Sequence, residues 1–413
     1  MLRIALVSMV ILLAACSYEE QPETARSSNG GAGIGDVAPV LDPAYDSPIR
    51  SIMAGYLKQI EADYDVLASE LSRLNEQISA FLEYPHSDTM NEMRSSWLTT
   101  HSSYELTTLH RYFAELILAE EDTLALYQLQ YQMNHWPILP GYVDYVAGYQ
   151  DSGIVNDINV SLDIPTLQEQ HGMFDLAEAS LGFHVLEFLI WGENPDRQSE
   201  RPPSDYFIVR ELSTAEIENG MELEQLSNNR RRQMLGLNGE SLLDDFNSSR
   251  AIWTAGSRSF QAGLSDLNST EMVILLLEAM TSMLTEEVLV RSLYPMLNGD
   301  YYESIQSPFS FSTQNAVAAQ LSSVERLLLE ISDDDVEKLD SILVSLSADF
   351  GEFFYQNFDA SKECLVLLYS TLEVSADTLV SAEAEFAVVE CINLLTNMID
   401  YLEQIKISLY QPV

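Results

Sequence analysis

Cationic side chains are scarce in this chain. Of 413 residues, 20 are Lys or Arg against 64 Asp or Glu, giving a formal net charge of -44. That balance argues against nucleic-acid binding and against charge-driven attachment to anionic lipid, because both need clustered Lys and Arg. It bears on solubility and on attraction for cations rather than on fold. Long apolar runs are scarce as well. Met272–Leu277 is bracketed by Glu271 and Glu278 and has the length of a buried core stretch, not of a membrane span. The three cysteines, Cys16, Cys364 and Cys391, lack the company of a nucleophile or a zinc site. His-Glu-x-x-His and Gly-x-Ser-x-Gly are both absent, which removes the usual helical metallopeptidase and serine-hydrolase machinery. No alternating apolar pattern persists, so strands are not expected and the fold class is all-α.

What is present begins at the N-terminus. Arg3, the short apolar run Ile4–Leu12 and Leu13-Ala14-Ala15-Cys16 have the layout of a secretory leader ending in a lipobox, with Cys16 as the lipidated first residue of the mature chain. Ser17 rather than aspartate at the next position fits onward transport to the outer membrane. An ordinary signal peptide with an incidental cysteine is the alternative. Residues 17–47 are rich in Gly, Pro, Ser and Glu and read as a flexible tether; Gly30–Gly35 has neither the preceding strand nor the directly following helix of a phosphate loop.

From Ile49 the periodicity is helical. Ile52, Tyr56, Ile60, Leu67, Leu71, Leu74 and Ile78 recur at three, four or seven residues. Asp88 is placed to cap a second helix carrying Trp97, His101 and Tyr104. Further helices are expected over 123–133, 142–148, 218–235, 242–260, 272–290 and about 376–409, with Asn268 and Glu271 spaced as a capping box and Ser332–Asp335 opening another. Short connections predict antiparallel bundles. The proline-rich break at 195–203 suggests two of them, 48–210 and 211–413. Cys364 and Cys391 fall on successive helices, where they either form a disulfide in an oxidising compartment or stay buried thiols.

Gly182-Phe183-His184-Val185-Leu186-Glu187 is the stretch with chemistry, within a helix expected over 177–192. His184 and Glu187, three apart, share a helical face and can close on one metal ion or one proton. Gly182 lets a neighbour approach the backbone. Two side chains do not complete a coordination sphere. Among the remaining histidines, His101 is the best additional ligand, because it shares a face with Trp97 and Tyr104; His110 points the other way, and His86, His135 and His171 read as loop residues. A plain hydrogen-bonded core histidine is the competing reading for His184.

Gly-x-His-x-x-Glu followed by Phe188-Leu189-Ile190-Trp191-Gly192 resembles the signature of the imelysin-like family. Trp136-Pro137, Tyr142–Val146 and Gly153–Asp157 before it, and Arg201-Pro202-Pro203-Ser204-Asp205-Tyr206 after it, are similar to the flanking family segments. Arg230–Arg232 and Ser307–Ser310 resemble later blocks. The resemblance implies two helical bundles with the site at their interface, in a bacterial envelope protein described either as a metallopeptidase or as an iron-uptake component. It also implies Glu303, Ser307 and Ser310 as interface residues, and an Arg201–Asp205 pair that fixes the loop after the motif or contacts ligand. Two positions depart from the family pattern on the second helix: His101 stands where arginine is usual and Thr108 where glutamate is. Gln314 stands where a histidine is usual.

The reading is an envelope lipoprotein that binds a divalent or trivalent metal ion, or a metal-bearing ligand, and assists iron acquisition alongside envelope uptake proteins. Iron comes from the resemblance; zinc and copper suit the same residues. The rivals are an imelysin-type peptidase, ranked lower because neither a nucleophile nor an activated water can be assigned, and a non-catalytic partner-binding module.

Overall fold

The computed structural model describes residues 41–195, 198–331, 337–347, 350–372 and 382–410. The leader with Cys16, the tether up to residue 40, and the expected helix start at Ser332–Asp335 lie outside the described residues. The described chain is all-α. Its helices are α1 (Asp46–Glu83), α2 (Ser87–Leu106), α3 (Thr108–Ile117), α4 (Glu120–Asn134), α5 (Pro140–Val143), α6 (Ile164–Gln170), α7 (Phe183–Trp191) and α8 (Thr214–Glu218). They continue with α9 (Ser227–Gly263), α10 (Ser269–Met283), α11 (Tyr294–Leu297), α12 (Tyr301–Ser304), α13 (Thr313–Leu329), α14 (Leu339–Leu346), α15 (Tyr355–Leu372) and α16 (Ala382–Leu409).

The expected stripe on α1 is the one that packs: Ile52, Tyr56, Ile60, Leu67, Leu71, Leu74 and Ile78 are all buried. It packs against α2, α9 and α10. The cap of α2 sits two residues earlier than expected. His86 accepts from the Asp88 backbone N–H, and Thr89 returns the bond to the His86 N–H. Asn268 and Glu271 do cap α10 reciprocally, at 3.0 and 2.7 Å. That helix then continues as a π-helical stretch, Leu284–Leu293.

The expected helices 218–235 and 242–260 run together as α9, which begins only at Ser227. Gly236 and Gly239 do not break it. A Cβ on Gly239 would lie 2.4 Å from Asn75 Oδ1 and 2.7 Å from Ile78 Cδ1. The glycine therefore sets how closely α9 approaches α1, and Asn75 donates across the seam to the Gly239 carbonyl at 2.9 Å. The expected helix 142–148 shrinks to α5, four residues long.

Helix packing is continuous along the chain: α1 lies against α2 and α9, α4 and α7 against α9, α10 against α16, and α13 and α16 against α15. α2 packs on α13 and α3 on α10, so early and late helices share one packed body. Cys364 on α15 and Cys391 on α16 form a disulfide, Cα to Cα 5.6 Å. Among the described residues no helix is long and apolar enough to cross a membrane.

Candidate functional site

The motif helix is shorter than its sequence suggests. It begins at Phe183, and Gly182 is its N-cap with φ 103°. A Cβ on Gly182 would lie 2.4 Å from the Gln132 carbonyl oxygen and 2.6 Å from that of Met133. What approaches this glycine is therefore the end of α4, not a ligand. Three side chains hold the approach. Asn238 accepts from the Gly182 N–H at 3.1 Å, Trp97 Nε1–H donates to the Phe183 carbonyl at 3.0 Å, and His171 Nδ1 accepts from the Ser180 and Leu181 N–H groups at 3.3 Å. His171, expected to be a loop residue, is a buried anchor. Gly192 ends the helix with φ 72°.

His184 and Glu187 share a face and are sealed, at 1% and 0% exposure. His184 Nδ1 and Glu187 Oε2 are 3.0 Å apart. The other carboxylate oxygen accepts three donors from the second half of the chain: the Phe309 N–H at 3.1 Å, the Ser310 N–H at 2.7 Å and the Ser310 hydroxyl at 2.7 Å. Burial raises the Glu187 carboxyl to about 7, against the lowering effect of the Ser310 and Phe309 donors. Burial also lowers His184 to about 3, so its ring is neutral at physiological pH. With Glu187 Oε2 as acceptor, the proton sits on Nδ1 and Nε2 carries a lone pair. That Nε2 is buried without a hydrogen-bond partner.

His101 comes to the same place. Its ring stacks on Trp97 at 4.7 Å and meets His184 edge to face at 5.2 Å. Burial lowers it to about 4, and its Nε2 is likewise sealed without a hydrogen-bond partner, 3.5 Å from Glu105 Oε1. Glu105 is the residue that sequence reasoning missed. It is fully buried and accepts from Asn134 at 2.8 Å, from Gln306 and Gln320 at 2.7 Å each, and from the Thr108 hydroxyl at 3.1 Å. Burial pushes its carboxyl up, but His101, Arg111 and the amide donors outweigh that and leave it below the ordinary value. The i,i+4 spacing of His101 and Glu105 was a usable signal; the amides, drawn from three other segments, gave none.

Other expected site residues are distributed more widely. Tyr104 and Trp97 line the cluster. Ser310 holds Glu187, while Ser307 is buried with its N–H on Thr313 Oγ1 at 3.0 Å. Glu303 is exposed, because α12 turns Ser304 inward and Glu303 to solvent. Arg201 does lie 3.5 Å from Asp205, but its shorter contact is to Asp144, at 2.7 Å. Arg231 joins the same buried Asp144 through Nε at 2.5 Å and Nη2 at 3.0 Å. This charge cluster ties Arg201 and Arg231 to Asp144 beside α7, while Arg201 Nε is buried without a partner. Among the described residues no group of three or more His, Cys, Asp or Glu side chains is placed to hold a metal ion.

The family model described as Imelysin, peptidase M75 by name, matches residues 60–365. The chain belongs to the imelysin family. No curated protein sequence matches it. Among solved structures, this imelysin is similar to an iron-regulated protein A precursor from Parabacteroides distasonis ATCC 8503, at 12% identity and a TM-score of 0.59, covering 89% of this chain and 96% of that one. At that identity the likeness establishes the helical fold alone. Within the imelysin fold, the Gly-x-His-x-x-Glu stretch is the segment described above as α7 and its cap.

Proposed function

We propose that this imelysin binds a metal-bearing ligand as cargo, with His101 Nε2 and His184 Nε2 as the donors, and that it serves iron acquisition at the cell envelope. The observation carrying the reading is the pair of sealed imidazole nitrogens that have no hydrogen-bond partner. A buried polar atom left unpaired is costly, and two adjacent neutral imidazoles suit a transition metal. Glu187 then is not a ligand. Both its oxygens are occupied, and it orients His184, as carboxylates do behind metal-bound histidines. Two nitrogens alone make a poor site for a bare ion, so a metal arriving with ligands of its own fits better. The iron assignment draws support from the family and from the iron-regulated neighbour.

The envelope placement draws support from the Leu13–Cys16 lipobox, which makes the protein a lipoprotein of the outer membrane facing the periplasm. A peptidase reading is favoured only by the family's name; it requires chelator-sensitive cleavage of a peptide library that vanishes in His184→Ala.

Metal analysis of the purified chain tests the proposal. Wild type retains or takes up a transition metal, and His101→Ala and His184→Ala each lose it. Unchanged stoichiometry in both variants rejects the reading.

A further inference from the structure

His101 and His184 are each 1% exposed, so a cargo reaches them only if a neighbouring element moves aside. Trp97, Thr108, Asn134, Phe183 and Gln320, which touch the two histidines or Glu105, all stand on helices. The connection between α12 and α13, residues 305–312, is irregular. It crosses the cluster from one buried carboxylate to the other. Gln306 Nε2–H donates to Glu105 at 2.7 Å. Three and four residues on, the Phe309 N–H, the Ser310 N–H and the Ser310 hydroxyl donate to Glu187 at 3.1, 2.7 and 2.7 Å. Glu105 lies beside His101 and Glu187 beside His184, at 3.5 and 3.0 Å. The opposite side of the segment reaches the surface, with Ile305, Pro308, Ser310 and Phe311 half-buried. Its internal ties, Ser307 N–H to Thr313 Oγ1 at 3.0 Å and Ser312 N–H to the Ser307 carbonyl at 3.4 Å, are local and need not break when it lifts. Phe311 has φ 56°, left-handed backbone that a bulky side chain rarely adopts and that persists only where the surroundings enforce it.

We propose that residues 305–312 form a strap that lifts to admit the cargo and fastens over it through Glu105 and Glu187. The inference deepens the metal reading above, which needs a route to sealed donors, but the motion itself is tested without metal. An irregular surface segment opens at a lower free energy than the helices beneath it, because lifting it exposes less apolar surface. Phe309, packed on Phe188 at 5.1 Å and bonded through its carbonyl to Asn194 at 3.3 Å, adds to the hold.

The test is the rate at which diethyl pyrocarbonate labels individual histidines of the purified full chain at pH 7, read by peptide mass spectrometry over a range of urea too low to unfold it. His110 is the reference. It is buried at 3% exposure, and its partners Tyr56 and Asp63 are on α1. In wild type, His101 and His184 are expected to label at least about ten-fold faster than His110, with a shallow dependence on urea where His110 shows a steep one. Ser310→Ala, which removes one hydroxyl from Glu187, should speed the labelling of His101 and His184 about ten-fold and keep the urea dependence shallow. If both histidines label no faster than His110, with the same steep dependence, only global unfolding exposes them and the strap is overturned. Unchanged rates in Ser310→Ala overturn it as well. Stopped-flow uptake and release of aqueous Zn(II) reads the metal side separately: both rates should rise by a similar factor in Ser310→Ala, with affinity within about two-fold of wild type. Failure of both proteins to take up Zn(II) would count against the metal reading, while the histidine labelling still decides the strap.

Discussion

His184 Nδ1 lies 3.0 Å from Glu187 Oε2, and the opposite oxygen of that carboxylate receives Phe309 and Ser310 from the second half of the chain. One turn of α7 thus fixes a tautomer and ties down a distant segment with a single side chain. Glu187→Ala removes the acceptor of His184 Nδ1–H, of the Phe309 N–H and of two donors on half-buried Ser310, whose hydroxyl keeps Ser312 Oγ as a partner. Its unfolding free energy is expected to fall by about 3 to 5 kcal/mol, measured by urea denaturation. Glu187→Gln, which retains one acceptor oxygen, should lose less.

Gly182 tolerates no side chain. Positive φ and the Gln132 and Met133 carbonyls both oppose a Cβ. Gly182→Ala is expected to cost about 3 kcal/mol or more. Gly263→Ala is the control, since nothing lies within 4 Å of its Cβ position and its φ is ordinary; it should be neutral or slightly stabilising. Thermal melts of the two variants separate these outcomes.

The buried titratable groups pull stability in opposite directions. Folded His101 and His184 take up protons only near 4 and 3, well below the ordinary 6.5. Their contribution is present above about pH 6.5 and is lost as acid approaches those lower values. Glu187, raised to about 7 by burial, acts the other way: its contribution is present below 4.5 and is lost as pH rises through 7. From pH 6.5 down to 4.5 these two histidines outweigh Glu187, so this cluster loses stability on acidification. The slope from each histidine is at most about 1.4 kcal/mol per pH unit. Urea midpoints at pH 7 and pH 5 should differ less in His101→Asn with His184→Asn than in wild type.

The Cys364–Cys391 bridge closes a loop with a sequence separation of 27. Replacing both by alanine is expected to cost about 3 to 4 kcal/mol through the freer unfolded chain. Guanidinium midpoints with and without the bridge would check it. An unchanged midpoint would mean that α15 and α16 hold together without help.

Much of this was legible in the sequence because it is local. The α1 stripe, the Asn268 cap and the His184–Glu187 pair each depend on residues within a few turns of one another. The role of Glu187 was not legible. Spacing shows that it faces the same way as His184, but its occupation by Phe309 and Ser310 depends on a segment more than a hundred positions away. Glu105 escaped notice for the same reason, as Asn134, Gln306 and Gln320 converge on it only in the folded chain. The gap expected between 235 and 242 misled in the opposite direction: Gly239 inside it lets two long helices touch.

The reach of residues 306–310 into the motif has a practical consequence for anyone dividing this molecule. A truncated product ending before Tyr301 would keep every letter of Gly-x-His-x-x-Glu and yet lose the Phe309 and Ser310 partners of Glu187 and the Gln306 and Gln320 partners of Glu105. Screening such fragments for metal uptake would sample a different object, one in which the signature survives as text but not as chemistry.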